Sequence, residues 1–343
     1  MDYSTIPNVV RSRAILSYRL GVRSGEAIVV TKKGSTIKKL SNVDRIRANA
    51  ESVQRLLRTG ESHGGEGLIP GKAANQKLAQ SGDALRADLL DIFTQELEGV
   101  GIYLLLFDSE LMGFPFGVMP EQQDAARFIA DIRGMAHATT AGAGLRAPST
   151  PKLNYGTDVL GLSPFRPEPD PAVGTLSIPG EAQNATRLFG QGVRVYKQDE
   201  KATVELLEST LDDARFIHLT DFKTGDHGGI EMHDGTVALS TIRSKDITTQ
   251  LTTLSADSSP KHLIRQAHAF YSAGASNLVL SNRLVDEQVR GRYLYNVYEA
   301  INRERPPVMA LSEARKTMAS DSAHNGYFDP SWWGQFILYG NPS

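Results

Sequence analysis

Two apolar runs in the middle of this chain end in side chains that could do chemistry. The first is Arg215-Phe-Ile-His-Leu-Thr-Asp-Phe222 and the second is Leu251-Thr-Thr-Leu-Ser-Ala-Asp257. Both suit strands buried in a parallel sheet. In such sheets ligands and reacting groups collect at the carboxyl ends of the strands. Asp221 and Phe222, with Ser255 and Asp257, are therefore the candidate site residues.

Their chemistry is limited. Phe222 cannot move a proton. An Asp257 carboxylate can form covalent intermediates with sugars and phosphates but attacks amides poorly. Ser255 or Ser258 would need a base, and no His–Asp partner is placed by the sequence. His218 shares a strand face with Phe222 but stands four residues away, roughly 13 Å. It reads as a structural histidine packed in the sheet. Asp226, His227, Glu231 and His233 lie in a turn punctuated by Gly225, Gly228, Gly229 and Gly235. Imidazole and carboxylate are ordinary metal ligands, but this spacing fits no metal motif. These four read as solvated loop residues, and neither a metal nor a cofactor is expected. His262 and His268 stand six apart on a helical segment, which is not one face.

Composition narrows the field further. The 343 residues contain no cysteine, which removes disulfides, thiolate zinc sites and a cysteine nucleophile. Net charge is −2 and the pI is about 6.5, so nothing argues for nucleic acid or a membrane as partner. No apolar run reaches the roughly 18 residues of a membrane span. Met1-Asp-Tyr-Ser4 lacks the regions of a signal peptide, and a cytoplasmic location is the expectation.

The positioning elements follow from periodicity. Residues 1–25 are mixed and basic. Glu26–Lys32 and Thr36–Leu40 read as a hairpin, and Ser41 with Asp44 opens a helix stopped by Gly60. Gly60–Lys72, with His63, is a glycine-rich surface loop without phosphate-loop spacing. A helix is expected over 83–97 and a buried strand over 102–107. Phe114, Pro115 and Phe116 pin the loop that follows. Residues 121–150 read as a helix and a small-residue segment, 158–163 as a strand, and Pro164–Pro171 as loop. Helices are expected over 178–189, 202–211, 261–273, 286–303 and 312–319, with strands at 193–196 and 277–281. Tyr293, Tyr295 and Tyr298 read as packing residues. Trp332–Gly340 closes the chain as a strand. Strands alternating with helices from about residue 83 onward indicate α/β with a largely parallel sheet.

The order and wording of these segments resemble the CHAT domain, a caspase- and separase-like module of the cysteine peptidase clan with a His–Cys dyad. Leu105-Leu-Phe-Asp-Ser-Glu-Leu-Met-Gly-Phe-Pro-Phe116 resembles the family's strand, Pro-Asp-Gly, Leu-Pro-Phe segment. Ile178-Pro-Gly-Glu-Ala182 is similar to its Leu-Pro-Gly-Ala helix start. Phe216–Phe222 sits where the family has a strand ending in His-x-Ala-Thr-His-Gly, and Leu254-Ser-Ala-Asp257 where it has Leu-Ser-Ala-Cys. Ala273–Ser281 with Val285-Asp-Glu287, and Trp332–Gly340, resemble its Ala-Gly-Ala strand, Val-Asp-Asp helix start and closing segment.

The resemblance implies a caspase-like, largely parallel sheet with helices on both faces and an N-terminal hairpin-plus-helix extension. It divides the chain into an N-terminal part, 1–75, and the caspase-like domain, 76–343, with a further boundary an option at the proline-rich loop 164–175. In the family the second histidine of the strand-end motif is the base and the cysteine the nucleophile. Matched without gaps, those positions hold Phe222 and Asp257. Asp257-Ser-Ser-Pro-Lys-His262 also leaves little room for the family's glycine-rich loop. The expectation is a catalytically inactive module that binds a protein or peptide, with Asp257, Ser255, Phe222 and Asp221 as peptide-binding candidates in the former cleft. The alternatives are a hydrolase with relocated catalytic groups and a small-molecule-sensing α/β domain using the strand-end crevice.

Overall fold

The computed structural model describes residues 13–59, 72–107, 111, 113–121, 128–139, 144, 155–165, 182–183, 186, 188, 193–256, 259–281, 287–320, 330–334 and 336–342. They fall into two compact units. One comprises the described residues up to 144, with 311–337 and 341–342; the other comprises those from 155 to 310, with 338–340. The glycine-rich loop from 60 to 71 with His63, the loop and helix start from 166 to 181, Asp257 and Ser258 lie outside the described residues, as does the Trp332 side chain.

The first unit is built on strands β1 (Arg13–Leu20), β2 (Gly25–Thr31), β3 (Gly34–Leu40), β4 (Ile102–Phe107) and β5 (Gly134–Ala138). Their order is β3-β2-β1-β4-β5. β1, β4 and β5 are parallel, and β2 and β3 return antiparallel. Two helices follow the hairpin, α1 (Val43–Thr59) and α2 (Lys72–Leu89). Val43, Ile46, Ala50, Val53 and Leu57 form the buried stripe of α1. Tyr18 secures β1 by donating its hydroxyl to the Leu89 carbonyl over 2.7 Å. Phe114 and Phe116 are buried, and their rings meet edge to face at 5.1 Å. Short helices α3 (Thr94–Leu97) and α4 (Ile129–Ile132) lead into β4 and β5.

In the second unit the strands are β6 (Thr157–Ser163), β7 (Arg194–Gln198), β8 (Ala214–Thr220), β12 (Leu251–Ser255) and β13 (Asn277–Ser281). All are parallel, in the order β13-β12-β8-β6-β7. β12 and β13 are buried at every residue, as interior strands of a parallel sheet are, although Thr252, Thr253, Ser255, Asn277 and Ser281 are polar. A small antiparallel sheet, β9 (Lys223–Thr224), β10 (Ile230–Met232) and β11 (Gly235–Val237), follows β8. The helices are α5 (Val204–Thr210), α6 (Leu239–Arg243), α7 (Pro260–Ser272) and α8 (Glu287–Asn302). α9 (Pro307–Ala319), α10 (Pro330–Trp333) and β14 (Phe336–Gly340) complete the chain. Gly274, between α7 and β13, has φ +120° and packs its Cα against the Ile247 carbonyl, where a side chain would collide.

The expected fold class holds: mixed α/β with a large, mostly parallel sheet flanked by helices. Several elements differ from the sequence reading, among them α6, which no periodicity announced. β1 lies in the stretch read only as mixed and basic. The helix expected over 83–97 starts at Lys72 and breaks after Leu89, where a 3-10 turn over Asp91–Phe93 intervenes. β5 lies inside the stretch read as helix plus small residues. Trp333 sits on α10, and the last strand starts at Phe336.

Candidate functional site at the carboxyl ends of the second unit's strands

The chain leaves β6 to form β7 on one side and returns to form β8 on the other. The order therefore reverses between β6 and β8, and the crevice beyond their carboxyl ends is where such sheets bind ligands. Ser163 ends β6 and Asp221 follows β8. Across this crevice the Ser163 hydroxyl donates to Asp221 Oδ2 over 2.9 Å. Arg290, from the first turn of α8, donates through Nη2 to Asp221 Oδ1 over 3.1 Å. Its Nη1 lies 3.5 Å from Ser255 Oγ at the end of β12.

This cluster is closed to solvent. The Arg290 and Asp221 side chains are 1% and 2% exposed. A buried charge is tolerated only when paired and hydrogen-bonded, and here each ion is both. The backbone is shaped for it: Asp221 has φ +53°, in the left-handed region that aspartate enters more readily than most residues. Its N–H donates to the Ser255 carbonyl over 3.0 Å, joining the tips of β8 and β12.

The structure brings Asp221 and Ser255 together and places Phe222 beside them, all buried. Asp257 lies outside the described residues. α7 begins at Pro260, capped by Ser259, whose hydroxyl accepts from the His262 N–H over 3.3 Å. Only Ala256–Ser259 separate β12 from that helix.

The other sequence candidates are dispersed. His218 is fully buried on β8, with Nδ1 3.0 Å from the Tyr298 hydroxyl, which also lies 2.7 Å from Thr253 Oγ1. Tyr293 is buried as well, while Tyr295 is 41% exposed. Asp226, His227 and His233 are exposed. Their turn is pinned from below by buried Gln266, which donates to the Gly228 and Gly229 carbonyls over 3.2 and 3.1 Å. Among the described residues no group of three or more histidines and carboxylates could hold a metal ion. No described helix is long and apolar enough to cross a membrane. In the first unit, a groove of about 490 Å³ lined by Arg86, Asp91, Tyr103 and Arg133 opens at the amino ends of β4 and β5.

Sequence reasoning missed Ser163 and Arg290. Ser163 was legible as the last residue of a buried strand. Arg290 carried only a weak signal, a cation one residue after Val289 and four before Leu294 on α8.

The geometry can be set beside known proteins. Two crystal structures of the Saccharomyces cerevisiae separase–securin complex share this fold, with TM-scores of 0.61 and 0.62 at 8% identity. They cover 96% and 98% of this chain, which spans only 30% of the matched separase chains. Comparison with curated proteins gives no match. The CHAT domain model matches residues 85–341, well over half of the sequence, and the chain belongs to that family.

Proposed function

We propose that this CHAT domain no longer hydrolyses peptide bonds and serves as a protein-binding, regulatory module. One observation carries the reading: the chain has no cysteine at any of its 343 positions, and Asp257 stands where the family's nucleophile is expected. A buried phenylalanine at the base position agrees with it, since Phe222 is 2% exposed and can neither take nor give a proton. At the carboxyl ends of these strands Asp221 is engaged in a buried pair with Arg290, which ties up its carboxylate. Asp257, next in the chain to Ala256, is with Ser255, Phe222 and Asp221 a candidate contact for a peptide bound at these strand ends. The separase structures contain a second protein, securin, and a polypeptide partner is the analogous expectation here.

The test is a screen of quenched peptide and ester substrates with the purified chain, alongside Asp257→Ala and Ser255→Ala. No turnover above buffer is expected. Turnover that disappears in Asp257→Ala would establish a hydrolase with relocated groups and overturn the proposal.

A further inference from the structure

We propose that the outer face and free edge of the β1–β3 sheet form a docking surface for an acidic, β-branched polypeptide segment that adds to β3 as an extra strand. The sheet has two unlike faces. Ala14, Leu16, Tyr18, Ala27 and Val29 are buried beneath it. On the other face Ile15 stands opposite Val30, and Ile28 opposite Ile37. Residues directly opposite in a ladder share a face, so these four make one contiguous β-branched patch. It comes into the open toward the edge: Leu104, opposite Ile15 on β4, is 1% exposed, Val30 is 40% exposed and Ile37 67%. β3 ends the strand order, and among the described residues it pairs with β2 alone.

Charge selects the occupant. Arg13–Leu40 carries seven basic side chains and one acidic, Glu26, in a chain of net charge −2. Among the described residues, Arg19, Arg23, Lys38 and Lys39 take part in no ion pair. Lysines on an edge strand are a common guard against unwanted pairing. That guard explains Lys38 and Lys39, and Arg19 stands opposite Glu26 in the β1–β2 ladder, but neither accounts for an apolar face left open. A second copy would set basic edge against basic edge. Single-stranded nucleic acid is held by aromatic stacking, and a membrane interface by Trp, Phe or Leu; this patch has none of these. Strand addition needs a free edge for the backbone and alternate apolar side chains for the face, and both are present. The surface lies outside the family match at 85–341 and does not depend on what the strand-end crevice does.

The experiment is fluorescence anisotropy of the full chain with a labelled peptide of about ten residues in which Glu and Val alternate, a length typical of strands. Comparison probes are the same peptide with Lys for Glu, polyglutamate, oligodeoxythymidine and phosphatidylserine vesicles. Saturable binding of the Glu–Val peptide alone is expected. It should weaken about tenfold or more in Ile37→Glu and in Lys39→Glu, as for a central contact. Amides of β3 should gain protection from hydrogen exchange on binding. Both positions are exposed, so the variants should keep the parent melting temperature; if Ile37→Glu does not fold, Ile37→Thr supplies the same comparison. No binding, equal binding of polyglutamate, binding of oligonucleotide or vesicle in place of the peptide, or indifference to both substitutions would overturn the proposal. Substrate turnover would not, which separates its failure from that of the pseudopeptidase reading.

Discussion

Arg290 Nη2 and Asp221 Oδ1 meet at 3.1 Å with both side chains almost wholly buried, at the point where the second unit's strand order reverses. A pair so placed is costly to break from one side, because the remaining ion keeps its desolvation penalty and loses its partner. Arg290→Met and Asp221→Leu should each destabilise the chain by about 3–5 kcal/mol in urea denaturation. The double variant should recover much of that loss, since apolar residues of similar size often replace a buried pair at little cost. Additive losses in the double variant would mean that the two side chains do not act as a pair.

The Tyr298 hydroxyl bridges β8 and β12 from α8, meeting His218 Nδ1 and Thr253 Oγ1 in a fully buried setting. Tyr298→Phe keeps the ring and removes only the bridge. A lost buried hydrogen bond that strands polar atoms costs about 1–3 kcal/mol. Thermal and urea denaturation should report that loss for Tyr298→Phe. His218→Ala in the Tyr298→Phe background should cost less than His218→Ala in the parent, because part of the interaction is already gone.

The second unit's central strands were legible because burial on both faces favours clustered apolar residues such as Phe216-Ile217 with Leu219, and Leu278-Val279-Leu280. The Arg290–Asp221 pair was not legible. Arg290 and Asp221 stand 69 residues apart, and a cation on a helix normally reads as solvent-facing until the tertiary partner is known. β1 was missed although Ala14, Leu16, Tyr18 and Leu20 alternate with Arg13, Ser17 and Arg19; the arginines masked a period of two. β5 was missed because Gly134-Met-Ala-His-Ala138 carries little β-branched or aromatic signal, and its strand form depends on pairing with β4.

Arg315 of α9 is held by the Asp131 carboxylate and lies 4.2 Å from the Trp333 ring centre and 5.3 Å from that of Phe128. Asp131 also accepts from the Phe128 N–H over 2.8 Å, so one carboxylate orders both the start of α4 and the guanidinium. Burial lowers the Arg315 pKa to about 10, which leaves the side chain charged at neutral pH. A lysine keeps the charge but loses the planar fork and its stacking on the rings. Arg315→Lys should therefore cost about 1–2 kcal/mol, the scale of a desolvated cation–π contact and one charge-assisted bond. Tryptophan fluorescence, from Trp332 and Trp333 together, during urea denaturation is the readout. An unchanged midpoint would show that charge alone holds this corner.

His137 sits on β5 with its ring 5.5 Å from that of Phe107, and burial lowers its pKa to about 3. In the unfolded chain an imidazole titrates near 6.5. As pH falls from about 6.5 toward about 3, the unfolded chain takes up a proton that the folded chain refuses. The stability associated with neutral His137 is therefore complete above about pH 6.5 and is lost progressively on acidification. The full span corresponds to an upper bound of about 5 kcal/mol at the acid end, with about 2 kcal/mol expected by pH 5. Carboxylates also lose native interactions in this range, so the histidine is isolated by comparison with His137→Phe, which fills similar space and cannot titrate. Between pH 8 and pH 4 the parent's urea midpoint should fall relative to that of His137→Phe once the pH drops below about 6.5, because only the parent carries the imidazole penalty. Parallel curves would show that His137 takes up its proton equally in the folded and unfolded chains.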